Sequence, residues 1–246
     1  MTMTAILGAT GTIGSTLARR LVKGGRRVLL VGRDGDKLAR LSAELGQPFA
    51  VMDATNSQSV IDALQGVAVD NDGLDGIVNC IGSLILKPAH ATSDEEFRRV
   101  VETNLFTAFA TVRAGAKMLR EHGGVIVLFA SAAAEIGIQN HEAIAAAKAG
   151  VIGLARAAAA TYAPHNIRVN VIAPGLVRTE LTRRIWDNPV SAAASAEMHA
   201  LGRLGEPEEI ASLAAWLLDP ENRWMTGQVI GLDGGLSRVV PKRRSS

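Results

Sequence analysis

The chain has 246 residues, 48% of them hydrophobic and 20% charged, which suits one α/β domain with a large core and excludes a disordered chain. A net charge of +2 gives no electrostatic case for nucleic acid, and a single cysteine, Cys80, excludes a disulfide framework or a zinc-ligand pattern within the chain. No basic segment with a long apolar stretch opens the sequence, and no run of about 18 apolar residues is present. Neither a signal peptide nor a membrane span is therefore expected, and the expected compartment is reducing and cytoplasmic.

Thr4-Ala5-Ile6-Leu7 reads as a short strand, followed directly by Gly8-Ala9-Thr10-Gly11-Thr12-Ile13-Gly14 and a helix over Ser15 to Lys23. Strand, glycine-rich turn and helix is the arrangement in which backbone approaches a pyrophosphate, with the free N–H groups of the helix start supplying positive potential. The second strand, Val28 to Val31, ends at Gly32-Arg33-Asp34. A ribose 2′-hydroxyl is usually met by an acidic residue at this strand end. Glycine here leaves room for a 2′-phosphate and Arg33 can clamp it, so NADP(H) is preferred over NAD(H). Asp34 is read as the N-cap of a helix from Asp36 to Leu45.

A third strand, Pro48 to Met52, precedes Asp53-Ala54-Thr55 and a helix over Asn56 to Gln65. A fourth begins at Gly76 and runs into Asn79-Cys80-Ile81-Gly82. One long helix is expected from Asp94 to Glu121, carrying Asn104. Val125 to Phe129 reads as a buried strand ending near Ser131, and an Ala-rich helix from His141 to Tyr162 carries Lys148. Ile144 lies four residues before Lys148, so the two share a helical face. Strand six, Ile167 to Ile172, leads to Pro174-Gly175; a last helix, Pro207 to Leu218, and a last strand, Gln228 to Ile230, precede Asp233-Gly234-Gly235.

This alternation predicts a single Rossmann-like domain over residues 1–246: a doubly wound parallel sheet of about seven strands with helices on both faces. Right-handed crossovers collect the loops after the strands at one edge, where ligands bind. Leu176 to Leu204 is the longest stretch between strands and reads as a lid over the site, shaped in part by Trp186 and Met198. Residues 238–246 read as a C-terminal tail whose Lys242-Arg243-Arg244 cluster is solvated.

The glycine loop, Asp53, Asn79 to Gly82, Asn104, Ser131, Lys148, Pro174-Gly175 and Asp233-Gly234-Gly235 together resemble the short-chain dehydrogenase/reductase family over nearly the whole chain. The resemblance implies a cofactor site in which Gly8, Thr10, Gly11, Thr12, Ile13 and Gly14 line the pyrophosphate. Asp53 and Ala54 would meet the adenine, and Asn79 and Gly82 would flank the adenosine ribose. Lys148 would hold the nicotinamide ribose, while Pro174, Gly175, Val177 and Thr179 would fix the nicotinamide. Ser131 would donate to the substrate oxygen, and Asn104 would hold a kink and a water near Lys148. No metal is implied.

Two departures bear on chemistry. The glycines at 8, 11 and 14 look like atypical members, in that the middle glycine of typical members falls where this chain has Thr12. More consequential, the tyrosine that stands four residues before the lysine in the family is Ile144 here, and the only tyrosine, Tyr162, lies at the far end of the helix. Isoleucine has no proton to donate. His141, seven residues before Lys148, is a candidate replacement acid; a loop or N-cap histidine without a catalytic part is the alternative.

The resulting expectation is an NADP(H)-dependent oxidoreductase acting on a small carbonyl, alcohol or enone with a non-standard proton donor. A non-catalytic NADP(H) sensor, or a structural subunit beside an active paralogue, is the rival. The Ala-rich helix carries only Lys148 and Arg156 as charges between Ala143 and Ala160, so it needs cover on both sides. A homo-oligomer, dimer or tetramer, is expected, with no membrane or nucleic-acid partner.

Overall fold

The computed structural model describes residues 3–68 and 73–240. Seven strands form one parallel sheet: β1 Met3–Leu7, β2 Arg27–Gly32, β3 Phe49–Val51, β4 Leu74–Asn79, β5 Gly124–Phe129, β6 Ile167–Pro174 and β7 Val229–Leu232, in the order β3-β2-β1-β4-β5-β6-β7. All pairings are parallel. The central strands are apolar on both faces, as a sheet covered on both sides requires: Ile6 and Leu7 of β1, and Ile126, Val127 and Leu128 of β5, are all fully buried.

The helices are α1 Thr12–Lys23, α2 Gly35–Leu45, α3 Ser57–Ala68, α4 Asp94–Val101, α5 Thr107–Met118, α6 Glu142–Tyr162, α7 Arg183–Trp186, α8 Pro189–Met198 and α9 Pro207–Leu218. One core layer joins one face of the sheet to α3, α5 and α6; the other joins the opposite face to α1, α2 and α9. Asp34 is the N-cap of α2, accepting from the Lys37 amide at 3.0 Å. The Lys242-Arg243-Arg244 cluster lies outside the described residues. The tail nevertheless starts anchored, since Arg238 pairs with Glu135 at 2.6 Å.

The long helix expected from Asp94 to Glu121 is two helices. A π-turn, Glu102–Phe106, separates α4 from α5, and the second helix stops at Met118. Side chains account for the break. Asn104 Nδ2 donates to the Val100 carbonyl at 2.9 Å and Thr107 Oγ1 to the Thr103 carbonyl at 2.8 Å, so both compete with amides for the helix ladder. The π-turn stands where the family resemblance implies a kink.

Glu142–His165, which comprises α6 and the turn after it, is long and apolar enough to cross a membrane, although the sequence alone suggested no such segment. In the fold its inner face, Ile144, Ala147, Lys148, Val151 and Ala155, is buried, and the helix packs along β6. It serves as a core helix. The opposite face, from Ala146 through Gly153 to Ala160, remains exposed.

Candidate active site

The sheet order reverses between β1 and β4, and a crevice opens at the carboxyl ends of these strands, where α/β sheets bind ligands. A cavity of about 400 Å³ occupies it. Of the residues expected in the site, the structure brings Gly11, Thr12, Ile13, Gly82, Asn104, Ser131, His141, Lys148, Pro174, Gly175, Val177 and Thr179 to its wall, together with Ile144. Gly8, Thr10, Gly14, Arg33, Asp53, Ala54 and Asn79 do not line it.

Those seven stand in the glycine turn or at the ends of the neighbouring strands. Gly8 has φ +77, and a Cβ there would stand 3.0 Å from Ile81. A Cβ on Gly14 would lie 2.3 Å from the Gly8 carbonyl oxygen. Only glycines let α1 start this close to the turn, which leaves backbone rather than side chain facing the crevice. Arg33 is exposed beyond Gly32, and no carboxylate replaces that glycine. The Asp53 carboxyl is held below the usual range chiefly by hydrogen bonds from Thr55, with a smaller contribution from the Arg33 charge. Asn79 is buried and shapes the end of β4, its Oδ1 accepting from the Ile81 amide at 2.9 Å. These features fit a nicotinamide dinucleotide: a side-chain-free turn at a helix start, a guanidinium beside a glycine, and a largely apolar crevice beyond with Ser131, Asn104 and Lys148 on its wall.

The catalytic candidates converge. Ser131 sits in extended backbone at the end of β5, and its Oγ accepts from the Ala133 amide at 3.2 Å. That bond uses an oxygen lone pair and leaves the hydroxyl proton to be donated into the cavity. Lys148 is 7% exposed, and its Nζ donates to the Phe129 carbonyl at 2.9 Å. No carboxylate pairs with it among the described residues, so burial alone pushes its pKa down to about 8. Asn104 is tied to Ser83 at both ends of its amide: Oδ1 accepts from Ser83 N at 3.2 Å and Nδ2 donates to Ser83 Oγ at 2.9 Å. It thereby clamps the loop after β4 to the π-turn.

Ile144 fills the position one turn before Lys148, as the spacing predicts. It is 3% exposed, packed with Val100, Ala143 and Ala147, and it presents hydrocarbon to the cavity where a hydroxyl would be needed. His141 stands at the N-cap position of α6 without capping it, and its ring reaches the cavity wall. His141 Nδ1 lies 2.7 Å from the Gln139 carbonyl oxygen. A carbonyl only accepts, so Nδ1 carries a proton and Nε2 can donate one only from the imidazolium. Cys80 lines the cavity with its thiol pushed up to about 12 by burial, which makes it inert there.

Residues of the segment Leu176 to Leu204 line one side of the crevice, among them Ile185 of α7 and Ser195 and Met198 of α8. Thr12 Oγ1 accepts from the Glu180 amide at 3.1 Å, joining the glycine turn to the start of this segment. Met198 lines the cavity, but Trp186 does not. Its indole N–H donates to the Thr179 carbonyl at 2.7 Å, and the Arg178 and Arg183 guanidinium groups lie 6.0 and 5.7 Å from its ring centroid, so it is held against Thr179. Sequence reasoning missed the apolar walls Leu84, Leu86, Ile138, Leu181 and Ile185, and the buried His199. Nothing local marks these residues, because loop residues reveal their neighbours only once the chain has folded.

The family profile described as enoyl-(acyl carrier protein) reductase matches residues 8–237. The chain belongs to the short-chain dehydrogenase/reductase family. It is 33% identical to the inactive 2-(S)-hydroxypropyl-CoM dehydrogenase 2 of Xanthobacter autotrophicus, across 91% of this chain and 100% of that one. A solved short-chain type dehydrogenase/reductase from Mycobacterium ulcerans superposes with a TM-score of 0.92 at 31% identity, covering 96% of this chain and 90% of its own. ElxO, solved with NADP bound, superposes at 0.89 with 25% identity, covering 96% and 98%. The family is one of oxidoreductases that bind a nicotinamide cofactor.

Proposed function

We propose that this family member is an NADP(H)-dependent oxidoreductase that transfers hydride between the nicotinamide and a small carbonyl, alcohol or enone, using a proton donor other than tyrosine. The observation that carries the reading is the convergence of Ser131, Asn104 and Lys148 on one cavity beside an apolar Ile144. Arg33 beside Gly32, where no carboxylate takes the glycine's place, supports a 2′-phosphate, and the NADP bound by ElxO agrees.

The cofactor supplies the hydride; the chain supplies position and charge. Lys148, held by the Phe129 carbonyl, presents its remaining N–H groups to the nicotinamide ribose. Ser131 donates its hydroxyl proton to the substrate oxygen, and Leu84, Leu86, Ile138 and Ile185 give the cavity apolar walls. Because Ile144 offers no proton, the donor is the imidazolium of His141 or water held near Lys148. Enones suit such a site, since their reduction places the proton on carbon rather than on an oxygen at Ile144.

The test is titration of the purified protein with NADPH and NADH by fluorescence, then turnover against ketones, quinones and enones followed by cofactor absorbance. Tight NADPH binding with turnover is expected. Binding of neither cofactor would overturn the site from Gly8 onward. A second reading, an NADP(H) sensor without catalysis, is favoured by Ile144 and by the inactive relative; it predicts tight binding with no turnover across the panel.

The exposed small-residue face of α6, with Phe97, Phe106 and Phe109 exposed on the neighbouring helices, supports the homo-oligomer as part of the same proposal. A cytoplasmic location also belongs to it and rests on the lone cysteine.

A further inference from the structure

His199 follows the last turn of α8 and stands behind the strip Pro174 to Thr179, the part of the chain that meets the nicotinamide in the reading above. The residue is 4% exposed. Nδ1 lies 2.7 Å from the Ser195 carbonyl oxygen, and Nε2 lies 3.1 Å from the Leu176 amide nitrogen. A carbonyl must accept and an amide must donate. Nδ1 therefore carries the ring's proton and Nε2 carries none, so the bonds on both sides require one neutral tautomer.

The surroundings are built around this ring. A Cβ on Gly175 would stand 2.5 Å from His199 Nε2, so glycine there is what lets the imidazole reach the next amide. A Cβ on Gly234 would sit 3.4 Å from the His199 Cβ. The backbone of the same bend is pinned as well, with Gly202 N donating to His199 O at 2.8 Å and Leu201 N to Gly234 O at 3.0 Å. The ring lies between the main cavity and a smaller one of about 70 Å³. It is the side chain that joins the lid helix to the strip.

We infer that neutral His199 is a positioning residue that locks the nicotinamide-binding strip to α8, so that protonating the imidazole releases the Leu176 amide and loosens the nicotinamide half of the cofactor while the adenine half stays held. This rests on the NADP(H) reading. The charged groups around the ring do not substitute for it. Asp233 accepts from Gly235 N at 2.9 Å and from Ser237 N at 2.8 Å; its negative charge favours an imidazolium but cannot give the Leu176 N–H its acceptor back. Arg203 and Glu209, beside the smaller cavity, pair with each other at 2.6 Å. Arg178 on the strip pairs with Glu206 at 3.3 Å, Glu180 faces the main cavity and Glu197 is exposed on α8.

The experiment compares two ligands by calorimetry at pH 8 and pH 5.5: NADP⁺, and 2′-phospho-ADP-ribose, which lacks only the nicotinamide. The readout is the fragment's dissociation constant divided by that of NADP⁺, because the 2′-phosphate titrates in both. In the wild type the ratio should fall about tenfold in the acid, as expected for one buried hydrogen bond. His199→Leu should show that loss already at pH 8, with the fragment's affinity unchanged. His199→Gln, which can offer an acceptor that acid does not protonate, should restore the ratio and remove its pH dependence. The inference is overturned by an unchanged ratio in His199→Leu, or by the same acid loss in His199→Gln. If His199→Leu does not fold, the Gln variant alone decides. A wild type that binds neither ligand overturns the cofactor reading and the inference together; one that binds both with a pH-independent ratio overturns the inference alone.

Discussion

Replacing Lys148 with methionine should make the free protein more stable at neutral pH and less stable in alkali. The side chain is buried with a hydrogen bond to Phe129 and no counter-charge among the described residues. Burial takes its pKa from 10.5 to about 8, which at about 1.4 kcal/mol per pH unit corresponds to about 3 kcal/mol. Below pH 8 the lysine is charged in both folded and unfolded states, and the folded state bears the whole desolvation. Between about pH 8 and 10.5 the folded state loses its proton first, so this group's contribution to stability rises with pH and the burden vanishes above 10.5. Methionine of similar length removes the burden but leaves the Phe129 carbonyl without its donor, at about 1 kcal/mol. The net expectation is a gain of about 2 kcal/mol at pH 7 that reverses to a loss of about 1 kcal/mol near pH 10.5. Urea unfolding of both proteins at the two pH values measures the difference, in which the other titrating groups cancel. A methionine variant less stable at pH 7, or a difference that does not change with pH, would refute the reasoning. NADPH affinity should fall in the same variant, because in the proposed reading the amine would meet the nicotinamide ribose.

Four further outcomes are expected. Ile144→Tyr places a phenol one turn from Lys148 at the cavity wall and should raise carbonyl reduction by about 10²–10⁴-fold; a change below threefold would show that the missing acid does not limit the rate. His141→Ala should remove most turnover. Unchanged kinetics would remove His141 from the mechanism. Arg33→Ala should weaken NADPH by about tenfold or more, as loss of a charge-assisted phosphate contact does, and leave NADH unaffected. Light scattering at micromolar concentration should give a dimer or tetramer, with Phe109→Glu shifting it toward monomer, and a monomeric wild type would contradict the assembly.

Local signals in this chain carry a large part of its fold. Alternating apolar runs and helical periods place the seven strands in order, and the turn after β1 announces itself because its glycines directly follow a strand. Ser131, Ile144 and Lys148 are legible for the same reason. A strand end and a four-residue helical spacing fix where side chains point before any tertiary contact forms. The absence of the tyrosine is likewise plain in the sequence.

Other features depend on groups far apart in the chain. The break in the helix around Asn104 follows from a side chain that competes for the Val100 carbonyl and is clamped by Ser83, 21 residues away. The passage of α6 through the core, rather than through a membrane, is decided by the sheet it packs on. Trp186, which composition places in the pocket, turns away because the Thr179 carbonyl and two arginines hold it. His199 carries no sequence signal at all: its place behind the strip exists only because α8 returns to the end of β6. Periodicity and turn chemistry are local and can be read along the chain, whereas burial, tautomer and the depressed pKa of Lys148 are properties of an environment that only the folded chain assembles.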